Sequence, residues 1–225
     1  MGTEKNLLKN LPIAVRNLEQ RKNSKNLEII QVSRRFDFEY FDGDRKYGYG
    51  GYSYDGRWLS VATALINEYS LKPGMRVLDV GCAKGFLVKD LMLAAPGLEV
   101  FGLDISNYAL LNADPDIVGR LHLGNATKLP FPDNSFDLVL SINTLHNLER
   151  NQVCKALREI ERVKKQHSYV VVDSYRNHEE REIFNQWVLT AKFHDYPHGW
   201  IELFEEVGYN GDYHWTIFNK NGENE

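Results

Sequence analysis

The chain is short of several things, and each shortage excludes something. Its 225 residues include only two cysteines, Cys82 and Cys154, in no paired spacing, so a disulfide framework is not expected. No apolar run approaches the roughly 20 residues that span a bilayer, so no membrane segment is expected. The opening Met1-Gly2-Thr3-Glu4 lacks the apolar stretch of a secretion signal, and Asn6 stands where a myristoylation signal places Ser or Thr. The expectation is a cytoplasmic protein. Neither sign of charge dominates, with a formal net charge of −4. The balance is uneven, however: residues 1–35 carry eight Lys/Arg against three Asp/Glu, which leaves −9 on the remainder. No Lys/Arg run there exceeds two residues, so the segment reads as a helical arm packing on an acidic body rather than as a nucleic-acid tether.

What is present suits a single α/β domain. Apolar residues make up 43% and charged residues 26% of a length at which one core still grows comfortably. From residue 75 onward, short apolar runs alternate with helical patterns, as in βα units feeding a parallel sheet. Six strands are predicted: Met75–Val80, Leu98–Leu103, a short edge-ward Arg120–Leu123, Phe136–Ile142, Ser168–Val172 and Tyr213–Phe218. Helices are expected over Lys84–Leu93, after Ser106 as N-cap, along Val153/Leu157/Ile160, along Ile183/Trp187/Ala191, and over Ile201–Val207 with Gly208 as C-cap. Residues 1–70 differ, with helical fragments followed by the Tyr/Gly/Asp-rich stretch 42–58. They read as an arm and lid over the carboxyl ends of the strands, and residues 71–225 as the ligand-binding core, the two forming one domain.

The strongest chemical signal is Val77-Leu78-Asp79-Val80-Gly81-Cys82-Ala83-Lys84-Gly85-Phe86, a strand running into a tight small-residue turn and then a helix. Such a turn brings backbone N–H groups and a helix N-terminus to a polar or anionic ligand. A dinucleotide fingerprint would need a third small residue where Phe86 stands, and there is no Gly-Lys-Ser/Thr, so NAD and nucleoside triphosphates are disfavoured. The second strand ends in Leu103-Asp104-Ile105, 19 residues beyond Gly85, near the spacing at which an acid meets ribose hydroxyls. A carboxylate suits a vicinal diol because it accepts both O–H bonds. Gly124-Asn125-Ala126 and Leu129-Pro130-Phe131-Pro132-Asp133 follow, before the fourth strand.

In that order these segments resemble a class I S-adenosylmethionine-dependent methyltransferase of the small Rossmann-like type, over roughly residues 71–218. The resemblance implies a doubly wound, mostly parallel seven-stranded sheet. It implies a cofactor site in which Asp79, Gly81, Ala83 and Gly85 line the methionine portion, Asp104 and Ile105 hold the ribose, Asn125 and Ala126 flank adenine, and Asn143 lies near the sulfonium. Two departures stand out. Ala83 replaces a common glycine, so its backbone is expected to avoid the φ values that glycine alone accepts cheaply. Asn125 replaces the usual Asp, and its side-chain carbonyl is expected to accept from the adenine amino group while its NH₂ offers a donor to a ring nitrogen.

Further candidates follow from position. His146 and Asn147, in the loop after the fourth strand, and Tyr175, after the fifth, are expected near the acceptor, with His146 as candidate general base beside Asn143 and Tyr175. In Tyr47–Trp58 the rings of Tyr49, Tyr52 and Tyr54 would attract a sulfonium, the glycines would let the segment close, and Arg57 would pair with a carboxylate. That tract also resembles an uncharacterised methyltransferase subgroup often linked to sugar and surface-polysaccharide pathways. Metal is not expected: Pro197 breaks the face shared by His194 and His198, and Asp42 and Asp44 lack the other ligands of a calcium loop. The implied function is methyl transfer to a small-molecule sugar, amine or hydroxyl, with S-adenosylhomocysteine as product. Cyclisation or lysis of the cofactor, releasing methylthioadenosine, and a non-catalytic binding role are the alternatives. Nucleic-acid and membrane partners are not expected, since the chain is net negative and lacks the Asn/Asp-Pro-Pro-aromatic tetrapeptide.

Overall fold

A computed structural model describes residues 2–12 and 17–218; the other residues of the expected arm and core, 1, 13–16 and 219–225, lie outside them. In chain order the helices are α1 (Leu18–Ser24), α2 (Leu27–Ser33), α3 (Phe38–Phe41), α4 (Leu59–Glu68), α5 (Phe86–Ala94), α6 (Asn107–Leu111), α7 (Arg150–Val163), α8 (His178–Trp187) and α9 (Pro197–Val207). The strands are β1 (Arg76–Val80), β2 (Glu99–Asp104), β3 (Leu121–Leu123), β4 (Phe136–Ile142), β5 (Lys164–Asp173) and β6 (Asp212–Thr216). They form one sheet in the order β3-β2-β1-β4-β5-β6, and every neighbouring pair is parallel.

The order reverses between β1 and β4, so the chain winds outward in both directions and leaves a crevice at the carboxyl ends of those strands. Both faces are covered, which explains the near-continuous apolar runs of β4 and β5. On one face Leu78, Val139, Val170 and Val172 pack under Val153, Leu157 and Ile160 of α7 and Trp200 and Phe204 of α9. On the other, Val77, Leu138, Leu140 and Val171 pack under Val61 and Leu65 of α4 and Leu87, Val88 and Leu91 of α5. Adjacent residues of one strand thus serve opposite layers, as the two-residue repeat of a strand requires.

All six strands read from the residues are present, but the seventh implied by the resemblance is not among the described residues, and the sheet is wholly parallel rather than mostly so. The free edge of β6 is taken instead by the N-terminal segment: Lys5 N–H donates to the Tyr213 carbonyl at 2.9 Å and Tyr213 N–H to that of Thr3 at 3.2 Å. The helix expected through Ala191 ends at Trp187. Beyond it, the N–H groups of Lys192 and Phe193 both donate to the His146 carbonyl, which draws the segment away from the helix axis. β5 begins four residues earlier than expected because Lys164 pairs with Glu161 and Asn210, fixing a polar stretch that carries no strand pattern of its own. Ser106 caps α6 through its side chain, and Gly208 closes α9 at φ 74°, both as expected.

Phe204 has no exposed surface and its ring lies at 7° to that of Trp215 on β6. Phe204→Ala is expected to cost about 3–5 kcal/mol in urea unfolding followed by circular dichroism, the usual range for emptying a buried aromatic site.

Candidate active site

The crevice holds a cavity of about 380 Å3, within the range of small-molecule pockets. Its walls come from two sets of elements. Asp79, Gly81, Cys82, Ala83, Leu103, Asp104, Ile105, Gly124, Asn125 and Ala126 supply one side, from the ends of β1, β2 and β3. Ile142, Asn143, Thr144, Asn147, Leu148 and Gln152 supply the other, with Lys192 from the stretch before α9. Arg34, Arg35, Phe36, Tyr40, Phe41, Tyr49, Tyr52 and Trp58 close it from the N-terminal segment.

The turn after β1 depends on Asp104. One carboxylate oxygen accepts from Ala83 N–H at 2.7 Å and the other from Ser106 N–H at 2.8 Å, so the acid ties the ends of β1 and β2 together. Each oxygen keeps a lone pair for a ligand. Ala83 sits at φ +51°, in the left-handed region that the sequence argument excluded. The conformation costs of the order of 1 kcal/mol for a residue with a Cβ, and the charge-assisted bond to Asp104 offsets it. Gly81 lies at φ +88°, and any Cβ there would collide with the Thr144 side chain. Gly85, expected in the cofactor site, is not on the cavity wall. At φ +73° it opens α5, and a Cβ would stand 2.7 Å from Ile117, so it serves packing.

Asp79 faces the cavity with 4% of its surface exposed and finds no hydrogen-bond donor among the described residues. Burial, reinforced by the neighbouring Asp104 charge, pushes its carboxyl up to about 7. Burial also raises Asp104, while the N–H bonds it accepts pull it back down. An unpartnered acid in such a place suits a cationic ligand group.

Other expected site residues divide. Ile105, Ala126, Asn143, Asn147, Tyr49 and Tyr52 line the cavity. Asn125 does too, but its side-chain oxygen already accepts from both the N–H and the hydroxyl of Thr127 at 2.9 Å, leaving its NH₂ rather than its carbonyl for a ligand. The Asn143 oxygen accepts from the Thr216 hydroxyl at 2.8 Å, which likewise leaves the NH₂. The Asn147 side-chain oxygen is buried without a partner. His146 is off the cavity wall: its Nδ1 accepts from Asp173 N–H at 3.1 Å and its Nε2 stands 3.3 Å from the Asp173 carboxylate. Burial lowers its pKa, and the ring braces the loop after β4 against β5, so it does not stand where a base for the acceptor is needed. Tyr175 packs on Phe184 in a separate cluster with its hydroxyl 3.1 Å from His194 Nδ1. Tyr54 turns away from the cavity and donates its hydroxyl to the buried Asp90 of α5 at 2.6 Å, and Arg57 pairs with Asp55 at 2.6 Å. These four side chains are corrected out of the pocket by partners that sequence spacing does not reveal.

Missed residues include Tyr40, Phe41 and Trp58, which build an aromatic wall with Tyr49 and Tyr52; the Tyr49 and Tyr52 rings are 4.3 Å apart and Tyr52 stacks on Phe86 at 4.7 Å. The density of rings in Phe36-Asp37-Phe38-Glu39-Tyr40-Phe41 was the available signal. Arg34, Arg35 and Lys192 carried none. The wall is pinned from outside by Asp42, which takes Lys84 Nζ at 2.6 Å, the Tyr108 hydroxyl at 2.6 Å and Tyr52 N–H at 3.0 Å. Burial pushes Asp42 up, but these donors outweigh it and hold its carboxyl below the usual range.

Residues 78–172 match the family model described as a methyltransferase domain. Over that stretch, somewhat less than half of its length, the chain is similar to methyltransferase domains. It is 36% identical over 119 residues to the demethylmenaquinone methyltransferase of Symbiobacterium thermophilum, covering 49% of this chain and 46% of that one. It is 33% identical over 118 residues to a sterol 24-C-methyltransferase of Gibberella zeae, covering 49% and 31%. A mitochondrial arginine-hydroxylase of Rattus norvegicus is 38% identical over 89 residues, covering 39% and 25%. The chain thus spans less than half the length of these curated relatives. Among solved structures, YcgJ of Bacillus subtilis aligns with a TM-score of 0.53 at 24% identity over 65% of this chain and 67% of that one. A Haemonchus contortus phosphoethanolamine N-methyltransferase, solved with S-adenosylhomocysteine, aligns with a TM-score of 0.56 at 20% identity over 78% and 44%. At these identities the two structures speak for the fold.

Because the native carboxyl of Asp79 titrates near 7 rather than in the ordinary range, the fold takes up a proton that the unfolded chain releases, and this group lowers stability as pH rises from about 4 to 7. Asp79→Asn is expected to raise the melting temperature of the ligand-free protein at pH 8, by about 2–4 °C for each kcal/mol regained, with the gain shrinking toward pH 5. Thermal melts across that range check it.

Proposed function

We propose that the chain binds S-adenosylmethionine in this cavity and directs its methyl group to a small-molecule acceptor. The observation that carries this reading is Asp104, a carboxylate bonded to both flanking turns and still open to the cavity, beside the unpaired Asp79. When bound, the cofactor supplies an electrophilic methyl group on a sulfonium. Asp104 would accept the ribose hydroxyls, Asp79 the cofactor ammonium, and the NH₂ of Asn125 a ring nitrogen of adenine, with Gly124, Ala126 and Ile105 around the base. Tyr49, Tyr52 and Trp58 would face the sulfonium with their ring faces and exclude water.

Methyl transfer is an in-line displacement governed by alignment, which can supply up to about 7–11 kcal/mol. With His146 held by Asp173, the cavity favours acceptors that need little help from a base, such as a neutral amine or an already acidic hydroxyl or carbon. The named quinone and sterol methyltransferases are consistent with small-molecule methylation, and they lend no support to a sugar or polysaccharide acceptor or to cofactor cyclisation. Nucleic acid is disfavoured by the net charge and by the closed aromatic roof. We read the Tyr/Gly segment as a lid, since Asp42 and Lys84 fasten it to the cofactor turn, and we place the protein in the cytoplasm, where the buried free thiols of Cys82 and Cys154 stay reduced.

Calorimetry with S-adenosylhomocysteine tests the reading. Asp104→Ala is expected to weaken binding by roughly 30–150-fold, the loss of charge-assisted bonds worth about 2–3 kcal/mol. With Asp79 titrating near 7, wild-type affinity should fall roughly tenfold from pH 8 to pH 6, and Asp79→Asn should flatten that dependence. No measurable heat with the wild type would sink the proposal. Asp42→Asn, which frees the lid, is expected to speed release of S-adenosylhomocysteine in stopped-flow displacement while leaving the fold intact.

A further inference from the structure

Several basic residues of the N-terminal arm are tied to the body of the protein. Lys5 is spent on Glu68 and Asp212, Arg21 on the carbonyls of Arg45 and Lys46, and Lys25 on the carbonyl of Asn185. Arg34 and Arg35 instead line the cavity. Arg34 donates to the backbone carbonyl of Ala191 at 2.9 Å, which aims it toward the wall built by the loop after β4, and it has no carboxylate partner among the described residues. Arg35, exposed at the mouth of the cavity as Arg34 is, has no ion pair or side-chain hydrogen bond among the described residues. Lys192, next to the Arg34 contact, also lines the cavity; its nearest acid is Glu149, at 3.7 Å in a largely solvated pair.

The cavity therefore has a charge polarity. Its two carboxylates, Asp79 and Asp104, stand at the ends of β1 and β2. Arg34 and Lys192 are attached to the opposite side, where Asn143, Asn147 and Gln152 offer amides and Ile142 and Leu148 offer apolar surface. S-adenosylmethionine presents one carboxylate, so three cations exceed what the cofactor alone can use. Guanidinium groups fit planar oxyanions in a way that a single point charge does not.

We propose that the acceptor is an anion, a small molecule with a flat or apolar body and a carboxylate or phosphate that docks on Arg34, Arg35 and Lys192, a deepening of the methyltransferase reading that rests on it. The oxyanion would fix the far end of the acceptor while its nucleophilic atom points back toward the sulfonium.

The test uses the full chain saturated with S-adenosylhomocysteine and titrated calorimetrically with 3,4-dihydroxybenzoate, its uncharged amide 3,4-dihydroxybenzamide, and phenyl phosphate. The two anions are expected to bind at least tenfold more tightly than the amide. Arg35→Gln and Lys192→Gln are each expected to weaken the anions roughly five- to tenfold while changing S-adenosylhomocysteine affinity by less than twofold, which also certifies the fold. Anions and amide binding within twofold of each other, or no binding by any of the three, would overturn the proposal and leave the cofactor reading standing. Loss of S-adenosylhomocysteine affinity in the variants would assign these cations to the cofactor tail and overturn it as well. Failure of the wild type to bind S-adenosylhomocysteine would bring down the functional reading and this inference with it.

Discussion

Asp104 holds two turns with one side chain. Its oxygens accept the N–H groups of Ala83 and Ser106, and those turns end the two strands on which the cavity rests. The bond to Ala83 also explains a backbone conformation that alanine does not choose by itself, since at φ +51° the Ala83 N–H is turned toward the acid. Gly81, two residues earlier, must then pass close beneath Thr144, and that approach brings the loop after β4 to the cavity. Without the carboxylate the strained turn would relax, Asp79 and Thr144 would lose their relative positions, and the two walls would no longer face one another.

The residues of that turn alternate in direction. Ala83 faces the cavity, while Lys84 extends outward to Asp42 beneath the aromatic segment. Tyr52 donates its backbone N–H to the same Asp42 and stacks its ring on Phe86, the first residue of α5. The roof and the turn are therefore joined by an ion pair, a hydrogen bond and a ring stack within a few residues. A displacement of the roof is transmitted to the turn because all three contacts would have to give: a half-buried, multiply bonded carboxylate tolerates little change in its donors without a desolvation cost.

Much of the sheet was legible because its signals are local. The apolar runs of β4 and β5, the cap at Ser106 and the glycine stop at Gly208 depend on near neighbours, and each appeared where its residues predicted. The position of Asp104 on the cavity wall was legible too, since it follows directly from an acid at the end of the second strand. His146, Tyr175, Tyr54 and Arg57 misled because their partners, Asp173, His194, Asp90 and Asp55, decide their direction, and only Asp55 is near in the chain. Arg34 and Arg35 were invisible for the opposite reason. A pair of arginines in a basic arm reads as solvated surface, and both do stay exposed; that they stand at the mouth of the cavity follows only from the path of the arm over the crevice. The seventh strand was implied by resemblance alone, whereas counting the strand-like segments of this chain yields six.

The two carboxylates of the cavity are an arrangement that the fold would not select for its own stability. A buried acid with no donor, set beside a second acid, weakens the native state at neutral pH, and an apolar or amide residue at position 79 would avoid that penalty. Retention of such a group makes physical sense when something else relieves it. A ligand ammonium does so by replacing lost hydration and by offsetting the Asp104 field. Ligand binding to this cavity then reports more than the sum of its contacts, because part of the free energy released is the strain that the empty site carries. The two acids thus make the ligand-free turn less stable than its parts, whereas the Ala83 conformation is offset within the fold by its bond to Asp104.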